Sequence, residues 1–328
     1  MTEIRTASRL SAGEVAAVLR LVRLATEEDG VAPLSEHVML HLRYGGDREA
    51  ENFWILVDDQ VAAYAHLDPT DLVEGPSAEL VVHPGYRRRH LGLALATALT
   101  ERARELIGLA RPGPAARPGE PGGAGQLRLW AHGDLPAAAA LASKAGFTRV
   151  RSLWQMHRSL RTRLARPRFD EGVSLRTFQT GRDEEAWLAL NARAFARHPE
   201  QGTWNRADLD VREREPWFEP DGFFLAQRDG RLVGFHWTKI HGANGQEHGH
   251  SHEAIGEVYV VGVDPAERGT GLGRALTLAG LRYLRARGLF QVMLYVDESN
   301  TAAIGLYESL GFTHWGTDAM FGQRLGPA

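Results

Sequence analysis

The sequence predicts an α/β protein built as two tandem domains, and three observations lead there. First, the chain repeats itself. AELVVHPGYRRRHLGLALATAL, from Ala78, aligns without gaps on YVVGVDPAERGTGLGRALTLAG, from Tyr259. Val82 falls on Val263, Pro84 on Pro265, Arg87 on Arg268 and Gly92 on Gly273. A later block, LWAHGDLPAAAALASKAGF from Leu129, aligns on LYVDESNTAAIGLYESLGF from Leu294. The change of spacing between blocks coincides with RPGPAARPGEPGGAG, residues 111–125, a Pro/Gly-rich surface loop of the first copy. Two collinear blocks with one explicable insertion describe a duplication.

Second, each copy reads strand, glycine turn, helix, strand, helix. Residues 257–263 are a β-branched run that ends at Asp264-Pro265. From Arg274, Leu276, Leu281 and Leu284 recur at helical spacing, and Gly288 is a stop signal. Residues 291–296 form a second strand, and residues 301–310 a helix closed by Gly311. Third, FFLAQRDGRLVGFHWTKI upstream gives two strands joined by an Asp-Gly hairpin turn. The second copy is expected to start near Gly172, after the linker RSLRTRLARPRFDEG, which sets the domains at 1–158 and 172–328.

Composition narrows the function classes. A length of 328 residues suits roughly two domains. With 43% apolar and 24% charged residues the chain can bury real cores. No apolar run nears the ~18 residues of a membrane span, and MTEIRTASRL lacks a signal-peptide core, so a cytoplasmic protein without membrane contact is expected. A net charge of −3 argues against nucleic acid as a partner. The absence of cysteine excludes disulfides, thiolate metal sites and a cysteine nucleophile. Lys144 and Lys239 are the two lysines among 38 basic residues, so each marks a place where arginine does not serve. A monomer is the default.

The turn Arg268-Gly269-Thr270-Gly271-Leu272-Gly273 follows a strand and opens a helix. Glycines let a ligand approach the main chain, and the exposed N–H groups at a helix start attract an anion such as a pyrophosphate. A dinucleotide fold fits poorly, because the turn lies far into its unit and follows an antiparallel hairpin. V-D-P-x-x-R-G-x-G-x-G-x-A-L, then a strand and N-x-x-A-x-x-x-Y-x-x-x-G-F, resembles the GCN5-related N-acetyltransferase (GNAT) superfamily in both copies. The resemblance implies a mixed, mostly antiparallel sheet flanked by helices in each domain, and acetyl-CoA as co-substrate without a metal.

It further implies that Val261, Gly262 and Val263 bind CoA through the main chain. Arg268, Gly269, Thr270, Gly271, Leu272, Gly273 and Arg274 would hold its pyrophosphate. Asn300, Thr301, Ala302, Ala303, Ile304 and Gly305 would line the rest of the cofactor. Glu257 is implied as general base, against the alternative of a carboxylate in a surface ion pair; glutamate is otherwise depleted in strands. Tyr307 is implied as the acid for the leaving thiolate, against the alternative of a packed helical tyrosine.

His198-Pro-Glu-Gln-Gly, Gly234-Phe-His-Trp-Thr-Lys239, Gly256-Glu-Val-Tyr-Val and Val31-Ala-Pro…Glu36 are similar to tandem members that acetylate the cysteinyl amine of a cysteinyl-glucosaminyl-inositol. That likeness assigns this small thiol acceptor to Glu36, Glu200, Lys239, Glu257 and Tyr295, whose groups suit hydroxyl-rich ligands. It also implies an actinobacterial source.

In the first copy Pro76, Ala142 and Leu135 replace Glu257, Tyr307 and Asn300, and His90 replaces Gly271. The first domain is therefore expected to be degenerate and structural, with its pyrophosphate turn damaged by crowding at His90. Leu80, Val81, Val82, Arg88, Arg89, His90, Leu91, Gly92 and Leu93 are nonetheless the positions at which it could hold CoA. Two other readings stand beside acetyl transfer to that acceptor: transfer to another small amine, and a non-catalytic acyl-CoA sensor. His248, His250 and His252, with His241 nearby, are expected to be a polar loop rather than a metal site.

Overall fold

The computed structural model describes residues 3–45, 50–70, 75–109, 125–196, 201–241 and 254–325. In chain order the first half carries β1 (Ile4–Ala7), α1 (Ala12–Asp29), α2 (Glu36–Tyr44), β2 (Glu51–Val57), β3 (Gln60–Asp68), β4 (Ser77–Val82), α3 (Leu91–Leu109), β5 (Gln126–Ala131), α4 (Pro136–Lys144) and β6 (Thr148–Ser159). The second half carries β7 (Val173–Thr177), α5 (Glu184–Ala194), α6 (Arg206–Glu213), β8 (Phe223–Arg228), β9 (Arg231–His241), β10 (Ile255–Val263), α7 (Leu272–Ala286), β11 (Gln291–Asp297), α8 (Thr301–Ser309) and β12 (Thr313–Arg324). Among these helices none is long and apolar enough to cross a membrane.

Two compact units result, and they do not simply follow the two copies. The first comprises residues 1–153 with 316–328, the second residues 154–315. The expected division at 158/172 follows sequence order, whereas each unit takes the end of a strand from the other half of the chain. In the first unit β1, β2, β3 and β4 are antiparallel neighbours, β5 adds parallel to β4, and Ala319–Arg324 of β12 pairs antiparallel with β5. In the second unit β7, β8, β9 and β10 are antiparallel, β11 is parallel to β10, and β6 lies beyond β11. The last strands of the copies are near equivalents, so local sequence cannot choose which of them sits beside β5.

The elements match their local chemistry. The hairpin turn between β8 and β9 uses Asp229 and Gly230 at φ 51° and 78°, the left-handed pair a two-residue hairpin needs. Helix α7 begins two residues before Arg274, because Gly271 at φ 84° supplies its N-cap. Each sheet is covered on both faces. In the first unit Leu95, Leu99 and Ala103 of α3 pack on Ile55, Ala63 and Leu127, while Val18, Leu21 and Val22 of α1 pack on Trp54 and Tyr64. In the second, Leu278, Leu281 and Leu284 of α7 cover one face, and Trp187 of α5 meets Phe223, Phe235 and Trp237 on the other.

Candidate active site

Strand β10 pairs with β9 from Ile255–His241 to Val263–Gly234, with a bulge at Tyr259. Its parallel pairing with β11 is confined, among the described residues, to Gly256–Val292 and Glu257–Met293. Past Glu257 the strands part, and the main chain of residues 258–263 edges the gap, where Val261, Gly262 and Val263 lie. The strand then enters a short turn. The Asp264 carboxylate accepts the Ala266 N–H at 3.1 Å, and Gly269 and Gly271 follow at φ 82° and 84°. A Cβ added at either glycine would meet no atom within 4 Å. Their value inside the protein is therefore the left-handed conformation, and the space around them is open. Thr270 anchors the turn through its hydroxyl, which donates to the Glu267 carbonyl at 2.9 Å.

Ala275 makes the first helical bond of α7, to Gly271, which leaves the amides of Gly273 and Arg274 ahead of it. Arg268 is exposed beside this turn, and Arg274 donates to Ser309 Oγ at 2.6 Å, fixing the start of α7 against the end of α8. The α8 start is capped by Asn300, whose side chain accepts from Ala303 N at 3.2 Å. Thr301, Ala302 and Gly305 are exposed, Ala303 is half-buried and Ile304 is buried.

Glu257 stands where the strands begin to part, 7% exposed. Its Oε2 accepts from His241 Nε2 at 2.7 Å. Its register partner on β9 is Lys239, also 7% exposed, whose ammonium sits 4.4 Å from the Trp217 ring centre and 5.4 Å from that of Tyr259. A compact ammonium fits this aromatic box, which accounts for lysine in an arginine-rich chain. Tyr295 on β11 is exposed, with its hydroxyl accepting from Gln155 Nε2 at 3.1 Å. Tyr307 on α8 packs edge-on to Phe312, against the same core as Val261, and burial pushes its phenol up to about 12.

The structure thus brings Glu257, Lys239 and Tyr295 onto adjacent strands of the second unit. Glu36 opens α2 in the first unit, after the N-cap Ser35. Glu200 and His198 lie outside the described residues, as do His248, His250 and His252. Among the described residues no three His, Asp or Glu side chains are grouped to hold a metal. Sequence reasoning missed the His241 bond to Glu257, the Trp217–Tyr259 box and Gln155. Strand alternation from Glu257's cross-strand partner Lys239 to His241 could have found the first; the others depend on which strands become neighbours.

The first unit repeats the architecture with different chemistry. Its β4–β5 pairing ends at Glu79–Trp130. A cavity of about 710 Å³ then opens, walled by Leu80, Val81, Val82, Arg88, His90, Leu91, Gly92 and Leu93, with Leu135 and Leu141 across it. Arg88 and His90 take φ of 63° and 65°, the conformations of Gly269 and Gly271. The turn keeps its shape, and the substitutions are felt as backbone strain of about 1–2 kcal/mol per residue. Arg87 is engaged twice by Asp29, at 2.8 and 2.6 Å, and exposed Arg89 lies over the Tyr86 ring. His132, in the cavity wall, sits between Asp318 at 2.9 Å and Glu79 at 3.5 Å. Burial alone would lower its pKa, but the two carboxylates raise it to about 10.

The sequence profile of the Acetyltransferase (GNAT) family matches the chain over residues 18–112 and 186–312. A mycothiol acetyltransferase of Thermobispora bispora is 56% identical over 322 residues, spanning 97% of this chain and 99% of that protein. A protein of the same name from Streptosporangium roseum is 54% identical over 350 residues, spanning 95% of this chain and 97% of its own. Among solved structures, a tandem GNAT protein from clavulanic acid biosynthesis has the same fold, with a TM-score of 0.70 at 22% identity over 99% of this chain and 100% of that one.

Proposed function

The chain belongs to the GNAT acetyltransferase family, and from that premise we propose that it moves the acetyl group of acetyl-CoA onto the cysteinyl amine of a cysteinyl-glucosaminyl-inositol, giving mycothiol and CoA. Relatives that share over half their residues across nearly the whole chain carry the name of that activity. The observation that carries the catalytic assignment is Glu257, a buried carboxylate at the point where β10 leaves β11, on the strand that runs into the double-glycine turn.

The chemistry follows from ordinary pKa values. An α-amine near 8 is mostly ammonium at neutral pH, so it must shed a proton before it attacks; an ordinary carboxylate is too weak a base to keep that proton, and Glu257 serves by accepting it in passage to solvent. The neutral nitrogen attacks the thioester carbon; the C–N bond forms, the C–S bond breaks, and the proton the nitrogen then sheds ends on the departing sulfur, so that CoA leaves as its thiol. Main-chain N–H groups along residues 261–263 stabilise the oxygen that gains charge. An ordinary thiol titrates near 8.5, well below a phenol held at about 12. Full proton transfer from Tyr307 to the thiolate is therefore uphill. The phenol acts chiefly as a hydrogen-bond donor to the departing sulfur. Lys239 and Tyr295 supply polar contacts for the hydroxyl-rich acceptor, and the resemblance adds Glu36 and Glu200.

In this reading residues 172–328 form the catalytic copy, and residues 1–158 a degenerate one that holds CoA without turning it over. The cavity beside Leu80–Val82 favours retention of a CoA-sized ligand there, and Pro76 and Ala142 remove the base and the acid. A protein acting alone on two small molecules is proposed, with no nucleic-acid or membrane partner. The deciding experiment is acetyl-CoA turnover with the cysteinyl acceptor, on wild type and Glu257→Gln. A rate loss of about 100- to 10,000-fold in the variant is expected. Turnover only with other amines would discard the acceptor and keep the family.

A further inference from the structure

His241 closes the described part of β9, one alternation beyond Lys239, so both side chains share the face of Glu257. Its Nε2 lies 2.7 Å from Glu257 Oε2, and the histidine side chain is 28% exposed where the carboxylate is 9%. An ionised carboxylate only accepts, so the hydrogen is on Nε2 and the partner sets the tautomer. We infer that His241 is a positioning residue for acetyl transfer, holding Oε2 so that Oε1 is the oxygen presented to the amine. This rests on the reading of Glu257 as the base. A glutamate's terminal torsion is broad and two-fold, so an unheld carboxylate samples many orientations. The cross-strand Lys239 ammonium then competes with the substrate amine for it. The bond to His241 fixes one orientation before substrate arrives, and a misaimed base loses rate steeply.

The test compares wild type, His241→Ala, His241→Gln and the Glu257→Gln/His241→Ala double variant. Removing a hydrogen bond to a charged group is expected to lower kcat about 10- to 100-fold, with the KM for acetyl-CoA unchanged. Glutamine's amide Nε2 reaches the same place and is expected to restore most of the rate. Because His241 acts through Glu257, its removal should cost little further in the Glu257→Gln background. An unaltered kcat in His241→Ala, or a change confined to acceptor KM, overturns the inference.

The pair is also read without turnover. A deshielded His241 ring-proton resonance is expected in the NMR spectrum of the wild type and should move upfield in Glu257→Gln. Its absence overturns the pairing whichever amine is the substrate. Wild-type inactivity on the cysteinyl acceptor, with that resonance present, would instead sink the substrate assignment alone.

Discussion

Two side chains of the second unit carry opposite demands, and their surroundings meet them differently. Glu257 must be ionised to take a proton, and it has a ring N–H and a cross-strand ammonium around it. Tyr307 must stay protonated to donate, and burial against Phe312 raises its pKa above the ordinary 10, to about 12. The consequence for pH has a definite sign. A raised acid keeps its proton until pH passes about 12, so Tyr307 contributes no alkaline fall below that. The kcat/KM profile is expected to rise as the amine deprotonates near 8 and to stay level to pH 10. Tyr307→Phe should lower kcat by about 100-fold, the low end for acid catalysis, because the transfer is uphill. Initial rates between pH 6 and 10 check both, and a wild-type decline centred near 9 would contradict the assignment.

Strands and helices meet closely at places where the sequence offers no side chain. His236 on β9 is wholly buried, its Nδ1 donating to the Leu276 carbonyl of α7 at 2.8 Å. Burial lowers its pKa to about 4, so the ring is neutral in the fold. It lies against Gly280, and a Cβ there would come within 2.1 Å of the ring Cε1. In an exposed helix Gly→Ala would stabilise, by up to about 1 kcal/mol. Here overpacking wins, and Gly280→Ala is expected to destabilise the second unit by about 1–3 kcal/mol. Urea unfolding followed by tryptophan fluorescence measures it, and a higher midpoint would refute the close packing of α7 on β9. The turns make a complementary point. Gly269 and Gly271 take positive φ freely, while Arg88 and His90 hold the same backbone in the first unit under strain. A residue with a Cβ at His90 therefore acts through backbone conformation as well as through side-chain volume.

At the scale of the whole molecule, residues 316–325 belong to the first unit although they follow the second in sequence. Ala319, Phe321 and Leu325 enter its core, Ala319–Arg324 pairs with β5, and Asp318 holds His132. Ending the chain after Trp315 should therefore cost the first unit on the order of 5 kcal/mol or more. Hydrogen exchange is expected to show lost protection in residues 1–153 and retained protection in residues 154–315, and the reverse pattern would refute the assignment. Much of the rest was legible in the sequence. The duplication, and in the second copy the hairpin at Asp229-Gly230, the strand leading from Glu257 and the glycine turn, are local patterns set by periodicity, turn chemistry and spacing. Which terminal strand completes which sheet, and which side chains converge on Glu257 and Lys239, only the tertiary structure decided. These depend on contacts between segments far apart in the chain, where near-equivalent repeats offer the same local chemistry and packing of the whole selects between them.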